Sequence, residues 1–245
     1  MTGRFLSVEQ ATRRFAGLVA VDAVSFSMER GEILSLIGPN GAGKTTLFNL
    51  ITGQLKPSDG TIVFRNERID QLPPHGRAQR GMGRTFQIAK PLTGLTTREN
   101  VMVGAFLRHS AYADAYHHAN AVLAEVGLEG HAEVPAAELT LSERRRLEVA
   151  RALALEPELI LLDEVMAGLN ATEVTQVIDL IHRLNGRGMT FLVIEHNLKV
   201  VRAFSRRVIV LHHGAKIAEG SAADVLSDPE VVTAYLGKKH GAGHA

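Results

Sequence analysis

The stretch EILSLIGPNGAGKTTLFNLITG, Glu32 to Gly53, runs from an apolar strand-like segment through a glycine-rich loop into a helix-like segment. Its centre, GPNGAGKTT at Gly38 to Thr46, satisfies the pattern G-x-x-x-x-G-K-S/T. Gly41 and Gly43 let the backbone wrap closely around phosphates, while the helix that follows turns its N-terminal NH groups and dipole toward the same anion. Lys44 is expected to reach the β and γ phosphates, and the Thr45 hydroxyl to ligate Mg2+. Strand, loop and helix in this order outweigh the reading of a chance glycine-rich turn. The loop residues Gly38, Pro39, Asn40, Gly41, Ala42, Gly43, Lys44, Thr45 and Thr46 are thus assigned to a nucleotide, with ATP and Mg2+ as the expected ligands.

Outward from the loop, short β-rich runs alternate with turns from Phe5 to about Ile69, which predicts a β-rich lobe. Thr97 to Leu128 is Ala-rich and proline-free with helical spacing, so an inserted helical lobe of two or more helices is expected. After Glu156 strands and helices alternate again: ELILLDE, a helix over Ala171 to Asn185, MTFLVIEH, a hairpin in RRVIVLHHGAKIAEG, and a helical pair from Ala222 to Leu236. That alternation predicts an α/β fold with a mostly parallel sheet.

Two strand ends carry further chemistry. LILLDE, Leu159 to Glu164, is an apolar run ending in two acids, which suits a central strand delivering Asp163 to Mg2+. Glu164 then lies where water must attack, placed to orient and deprotonate it. FLVIEHN puts His196 at a comparable edge, where a neutral imidazole hydrogen-bonds the γ phosphate; a helix cap is its competing role. His117, His118, His212 and His213 lack a matching Cys or carboxylate constellation in the sequence and are expected to be solvated.

A formal net charge of +1 gives no general pull toward nucleic acid, and nucleic acid is not an expected partner. The Arg144 to Arg146 run reads as a solvated helix face or as support for the phosphate site within the chain. The absence of cysteine excludes disulfide and thiolate chemistry. The longest aliphatic runs, LILL and FLVI, are strand-length, and no signal-like apolar segment opens the chain, so it is expected to be neither secreted nor membrane-spanning.

The phosphate loop, GRTFQ at Gly83 to Gln87, the helical insertion, LTLSERRRLEVARAL, LLDE, AGLN and IEH, in this order, resemble the nucleotide-binding subunits of ABC transporters over essentially the whole chain. The branched-chain amino acid importer branch is the most similar, through FAGLVAVDAVSFSM and the ending DPEVVTAYLG as well. The resemblance implies a P-loop NTPase of the ABC ATPase type with an antiparallel β lobe and an inserted helical lobe. It implies one domain over 1–245: a sheet core of 1–90 and 156–236, a helical lobe of 91–155, and a flexible tail of 237–245. By the same resemblance Phe15 stacks on adenine, with a core aromatic as the alternative. Gln87 senses Mg2+, and Glu164 and His196 carry hydrolysis. The implied assembly is a head-to-tail dimer with itself or a paralogous ATPase, on the cytoplasmic face of a membrane, with ABC permease subunits and a periplasmic binding protein. An exporter ATPase of the lipopolysaccharide type, or a soluble cassette, is the alternative.

One segment departs from the family pattern. Where the signature reads L-S-G-G-Q or L-S-Y-G-Q, this chain has Leu139, Thr140, Leu141, Ser142 and Glu143, without either glycine. In the family this loop clamps the γ phosphate held by the partner, so Thr140, Ser142 and Glu143 are assigned to the partner's nucleotide, and its site is expected to be the weaker of an asymmetric pair. Thr140 and Glu143 also form a T-x-x-E capping box that keeps the helix N-terminus open to an anion. Val165 and Asn170 replace the common proline and aspartate without removing a catalytic group.

Overall fold

The computed structural model describes residues 4–85 and 91–236. Two long strands open the chain, β1 (Leu6–Phe15) and β2 (Leu18–Met28), and β3 (Ile33–Ile37) leads through the glycine-rich loop into α1 (Lys44–Thr52). β4 (Asp59–Phe64), β5 (Glu67–Arg68), α2 (Pro74–Gln79) and β6 (Met82–Arg84) follow. The helices α3 (Thr97–Ala105), α4 (Tyr112–Glu125) and α5 (Leu141–Leu153) come next, ahead of β7 (Leu159–Asp163). The chain continues through α6 (Ala171–Gly186), β8 (Thr190–Ile194), α7 (Leu198–Phe204) and the hairpin β9 (Arg207–His212) and β10 (Ala215–Ser221), to α8 (Ala222–Ser227) and α9 (Pro229–Leu236). The expected tail at 237–245 lies outside the described residues.

β1, β2, β4 and β5 form an antiparallel sheet in the order β2-β1-β4-β5. The second sheet runs β10-β9-β3-β8-β7-β6, parallel throughout except where β10 turns back on β9. Every residue of β3, β7 and β8 is buried, which explains why these strands read as continuous apolar runs rather than as alternation.

The two-residue period of a strand divides those side chains between two cores. Leu34, Leu36, Leu159, Leu161, Leu192 and Ile194 pack with α1 and the antiparallel sheet. Ile160, Leu162, Phe191 and Val193 face the other way, into a core shared with α3, α4, α5 and α6. The parallel sheet is therefore sandwiched between the β lobe and the helices, and its ends are left to the connecting loops. The 97–128 segment resolves into α3 and α4, in agreement with its spacing.

One expectation about the histidines is corrected. His117 is exposed, but His118, on the neighbouring face of α4, meets a carboxylate: His118 Nδ1 lies 3.8 Å from Glu156 Oε1, and His109 Nε2 lies 2.7 Å from the same atom. The three residues come from separate segments, so their proximity has no signature in sequence spacing. His213 is exposed as expected, yet it lines the cleft beside the phosphate loop rather than facing open solvent alone.

Candidate functional site

β8 lies between β3 and β7, and Ile194 pairs with both Leu36 and Asp163. This register makes the glycine-rich loop, Glu164 and Glu195 leave the sheet along one edge, the carboxyl ends of parallel strands where ligands of α/β folds bind. Three distant pieces of sequence converge there because the strands that carry them are neighbours.

The loop itself is held by close backbone contacts. Gly43 has φ +100°, and a Cβ there would sit 2.4 Å from the Ala20 carbonyl oxygen. A Cβ on Gly38 would sit 2.2 Å from the Leu211 carbonyl oxygen. The β9–β10 turn latches the loop: Gly214 NH donates to Ala42 O at 3.0 Å, and Asp22 NH donates to Gly214 O at 2.9 Å. Lys44 opens α1, only 7% exposed, and its Nζ donates to the carbonyls of Gly38 at 2.7 Å and Pro39 at 3.0 Å. Burial lowers the Lys44 pKa, opposed by Glu164 and Asp163.

A cleft of about 650 Å³ opens over the loop. Residues 40–46 line it together with Phe15, Val19, Glu164 and His213. Phe15 ends β1 with 40% exposure and carries the Arg13 guanidinium 4.6 Å over its ring, so it is not a core aromatic. Its free face and apolar edge beside a phosphate-type loop suit a flat ring system.

Asp163 is buried at the end of β7, with Arg84 Nη2 3.3 Å from Oδ2. Arg84 also donates to Asn49 Oδ1 at 2.6 Å and Thr52 Oγ1 at 2.9 Å, joining β6, α1 and β7. Burial raises the Asp163 pKa, and Arg84 holds it down in part. Glu164 takes φ +50°, an uncommon conformation for a side chain of this kind, and its NH donates to Ile194 O at 3.1 Å. His196 Nδ1 lies 3.6 Å from Glu164 Oε1. The cap of α7 is Asn197, whose side chain accepts from Lys199 and Val200 NH, so capping does not account for His196.

Thr140, Ser142 and Glu143 stand apart from this cleft, at the N-terminus of α5. Both bonds of the capping box form: Thr140 NH donates to Glu143 Oε2 at 2.8 Å, and Glu143 NH donates to Thr140 Oγ1 at 3.3 Å. The Thr140 bond holds the Glu143 carboxyl below the usual range, and His131 Nε2 lies 3.0 Å from Oε1. Ser142 is buried, whereas Leu141 is 48% exposed. A Cβ on Gly168 would meet Leu141 Cδ2 at 3.0 Å. Gln87 lies outside the described residues.

The ABC transporter family matches residues 21–167. The chain belongs to that family. A second match, to the branched-chain amino acid ATP-binding cassette transporter C-terminal region, covers residues 215–241 of the chain. Among curated proteins, the cassette is 39% identical to the high-affinity branched-chain amino acid transport ATP-binding protein LivG of Salmonella typhimurium, over 97% of this chain and 100% of that protein. It is 34% identical to the lipopolysaccharide export system ATP-binding protein LptB of Escherichia coli, over 95% of this chain and 97% of that protein. Among solved structures, a nucleotide-free ATP-binding cassette from an ABC transporter superposes with a TM-score of 0.89 at 32% identity, covering 96% of this chain and 100% of that one. The fold is that of an ABC ATPase, as the motif order implies. Among the described residues no helix is long and apolar enough to cross a membrane.

Three residues of the cassette's site went unassigned in the sequence. Arg84 sits inside the GRTFQ motif, but only the register of β6 beside β7 shows that it reaches Asp163. Glu195 keeps the strand parity of Val193 and so turns toward the helical core; it is 1% exposed, with Oε1 buried and without a hydrogen-bond partner among the described residues. That alternation was readable in VIEH. His213 had no signal beyond its place in a hairpin turn.

Proposed function

We propose that this chain is the ATP-hydrolysing subunit of an importer for branched-chain or other hydrophobic amino acids, peripheral on the cytoplasmic face of the membrane. The observation that carries the reading is the Glu164–His196 pair at the rim of a cleft whose floor is the phosphate loop. Glu164 orients and deprotonates the attacking water, and His196, from the neighbouring strand end, hydrogen-bonds the γ phosphate and keeps the two aligned. Lys44 exchanges its loop carbonyls for phosphate oxygens, and Phe15 offers its exposed face to adenine.

The Thr45 hydroxyl and the Asp163 carboxylate are oxygen donors, one exposed in the cleft and one buried at the strand end, and this hard donor set fits Mg2+. Gln87 is proposed as its third contact. When bound, Mg2+ supplies charge neutralisation on the phosphates. Thr140, Ser142 and Glu143 lie outside the chain's own cleft, which supports their assignment to the nucleotide of a head-to-tail partner, either a second copy or a paralogous ATPase. With Ser142 where both forms of the signature have glycine, that trans contact is proposed to be the weaker one.

The C-terminal match at residues 215–241 favours the importer branch over the lipopolysaccharide exporter type. Permease subunits and a periplasmic binding protein complete the proposed system. The test is Glu164→Gln: ATP binding, followed by equilibrium dialysis, is retained while phosphate release falls at least about a hundredfold, the scale on which a lost general base acts. Hydrolysis at the wild-type rate removes Glu164 as the base.

A further inference from the structure

We propose that His109, His118 and Glu156 form a transition-metal site, of the Zn2+ class, that clips the helical layer to the segment entering β7. Their ligand atoms all lie within 4.8 Å of one another. His109 Nε2 is 2.7 Å from Glu156 Oε1, and His118 Nδ1 is 3.8 Å from the same oxygen. The two imidazoles lie against each other with centroids 4.7 Å apart and planes tilted by 36°. In a tetrahedral site with bonds near 2.0–2.1 Å, ligand atoms sit roughly 3.3 Å apart, so seating a cation needs only modest adjustment of three partly exposed side chains.

A hydrogen bond explains His109 but not His118. The 3.8 Å separation is too long for one, and His118 Nε2 is buried without a partner. Among the described residues the ring is therefore packed beside a second imidazole with no polar anchor except the shared carboxylate. If both rings were protonated they would repel at this distance; one divalent cation accepts both as neutral donors and keeps the carboxylate charge useful. Two imidazoles and one carboxylate select Zn2+ and its neighbours over Mg2+ or Ca2+, and water fills the open position.

The three ligand segments are already fixed relative to one another. Gly104 in α3 passes so close to α5 that a Cβ there would meet Arg151 O at 2.9 Å and Ala154 Cβ at 3.0 Å. Arg108, next to His109, donates to Leu155 O at 3.3 Å and Gln79 O at 3.0 Å, tying the end of α3 to the residue before Glu156. Glu156 itself takes φ +50°, a left-handed conformation that non-glycine residues seldom adopt and that recurs at functional positions. Pre-set ligands lower the ordering cost of binding a cation.

His240 and His244 near the C-terminus are also metal donors, so the experiment uses the full chain carrying His240→Ala and His244→Ala. Titration with Zn2+ is expected to show one equivalent bound and a rise in Tm, and Co2+ to give the visible absorption of a four-coordinate centre. His118→Ala and, separately, Glu156→Gln should each weaken Zn2+ binding at least about tenfold, the scale seen for lost metal-site partners. His117→Ala, on the same helix but facing solvent, should bind as the parent does, and excess Mg2+ should not compete. No bound Zn2+ in the tail-substituted chain, or equal binding by the parent and both ligand variants, overturns the site. Equal losses in His117→Ala and His118→Ala overturn it as well.

Discussion

Glu195 is the sharpest electrostatic prediction of the fold. Its carboxyl is buried behind the Glu164–His196 pair, and loss of hydration raises its pKa from 4.5 to about 7, offset in part by His196 and by the NH groups of His196 and Met166. Between those two values the folded chain binds more protons than the unfolded one. Stability therefore falls as pH rises through that window, and the penalty is complete above about pH 7. A rise of that size corresponds to about 3 kcal/mol at pH 8, shrinking to less than about 1 kcal/mol at pH 5. Glu195→Gln keeps the shape and removes the charge, so at pH 8 the variant should be more stable than wild type by up to about 3 kcal/mol, with the gap reduced to less than about 1 kcal/mol at pH 5. Urea unfolding of both proteins at the two pH values measures it. Glu148, whose pKa burial also lifts to about 7, is present in both chains and cancels in the difference. A difference independent of pH, or a variant less stable at pH 8, refutes the reasoning.

Two further outcomes follow from the same geometry. Gly43→Ala must place a Cβ 2.4 Å from Ala20 O at φ +100°, whereas Gly41→Ala has only its φ of +78° to overcome and nothing within 4 Å. The first should cost at least about 1 kcal/mol more than the second by denaturant unfolding, because overpacking adds about 1–3 kcal/mol to the backbone strain; equal costs would show that the close approach of the loop to Ala20 on β2 does not hold it. Thr140→Ala removes the oxygen that accepts Glu143 NH and should lower stability by about 1 kcal/mol, whereas the same change at the exposed Thr45 leaves stability within about 0.5 kcal/mol. An unchanged urea midpoint for Thr140→Ala would mean that the capping box adds nothing to α5.

The parts of the site that were legible are those whose chemistry is local. The loop from Gly38 to Thr46 needs its residues in one order on one turn, and the acids of LILLDE need only follow a buried strand, so pattern and spacing carry both. Phe15 could not be settled that way, because core and exposed aromatics look alike until the strand that bears it is placed; its 40% exposure at the end of β1 settles it. Arg84, His118 and Glu195 depend on which strands and helices become neighbours. Arg84 reaches Asp163 across 79 residues of chain, and His109, His118 and Glu156 meet across 47.

The altered signature shows how a local pattern and a long-range role coexist in one segment. Thr140 and Glu143 close the capping box as the T-x-x-E spacing requires, and in doing so Glu143 commits one oxygen to the Thr140 NH and offers the other to His131. Both carboxylate oxygens are thus engaged within its own chain instead of pointing at whatever faces the helix N-terminus. The remaining obstacle to a close trans contact is steric: both forms of the family pattern keep a glycine at the position of Ser142, here a buried side chain, whereas the Leu141 position already carries tyrosine in one of them. The weakness proposed for the partner's site therefore rests on the side chain that Ser142 adds where both forms of the pattern have glycine more than on the charge of Glu143.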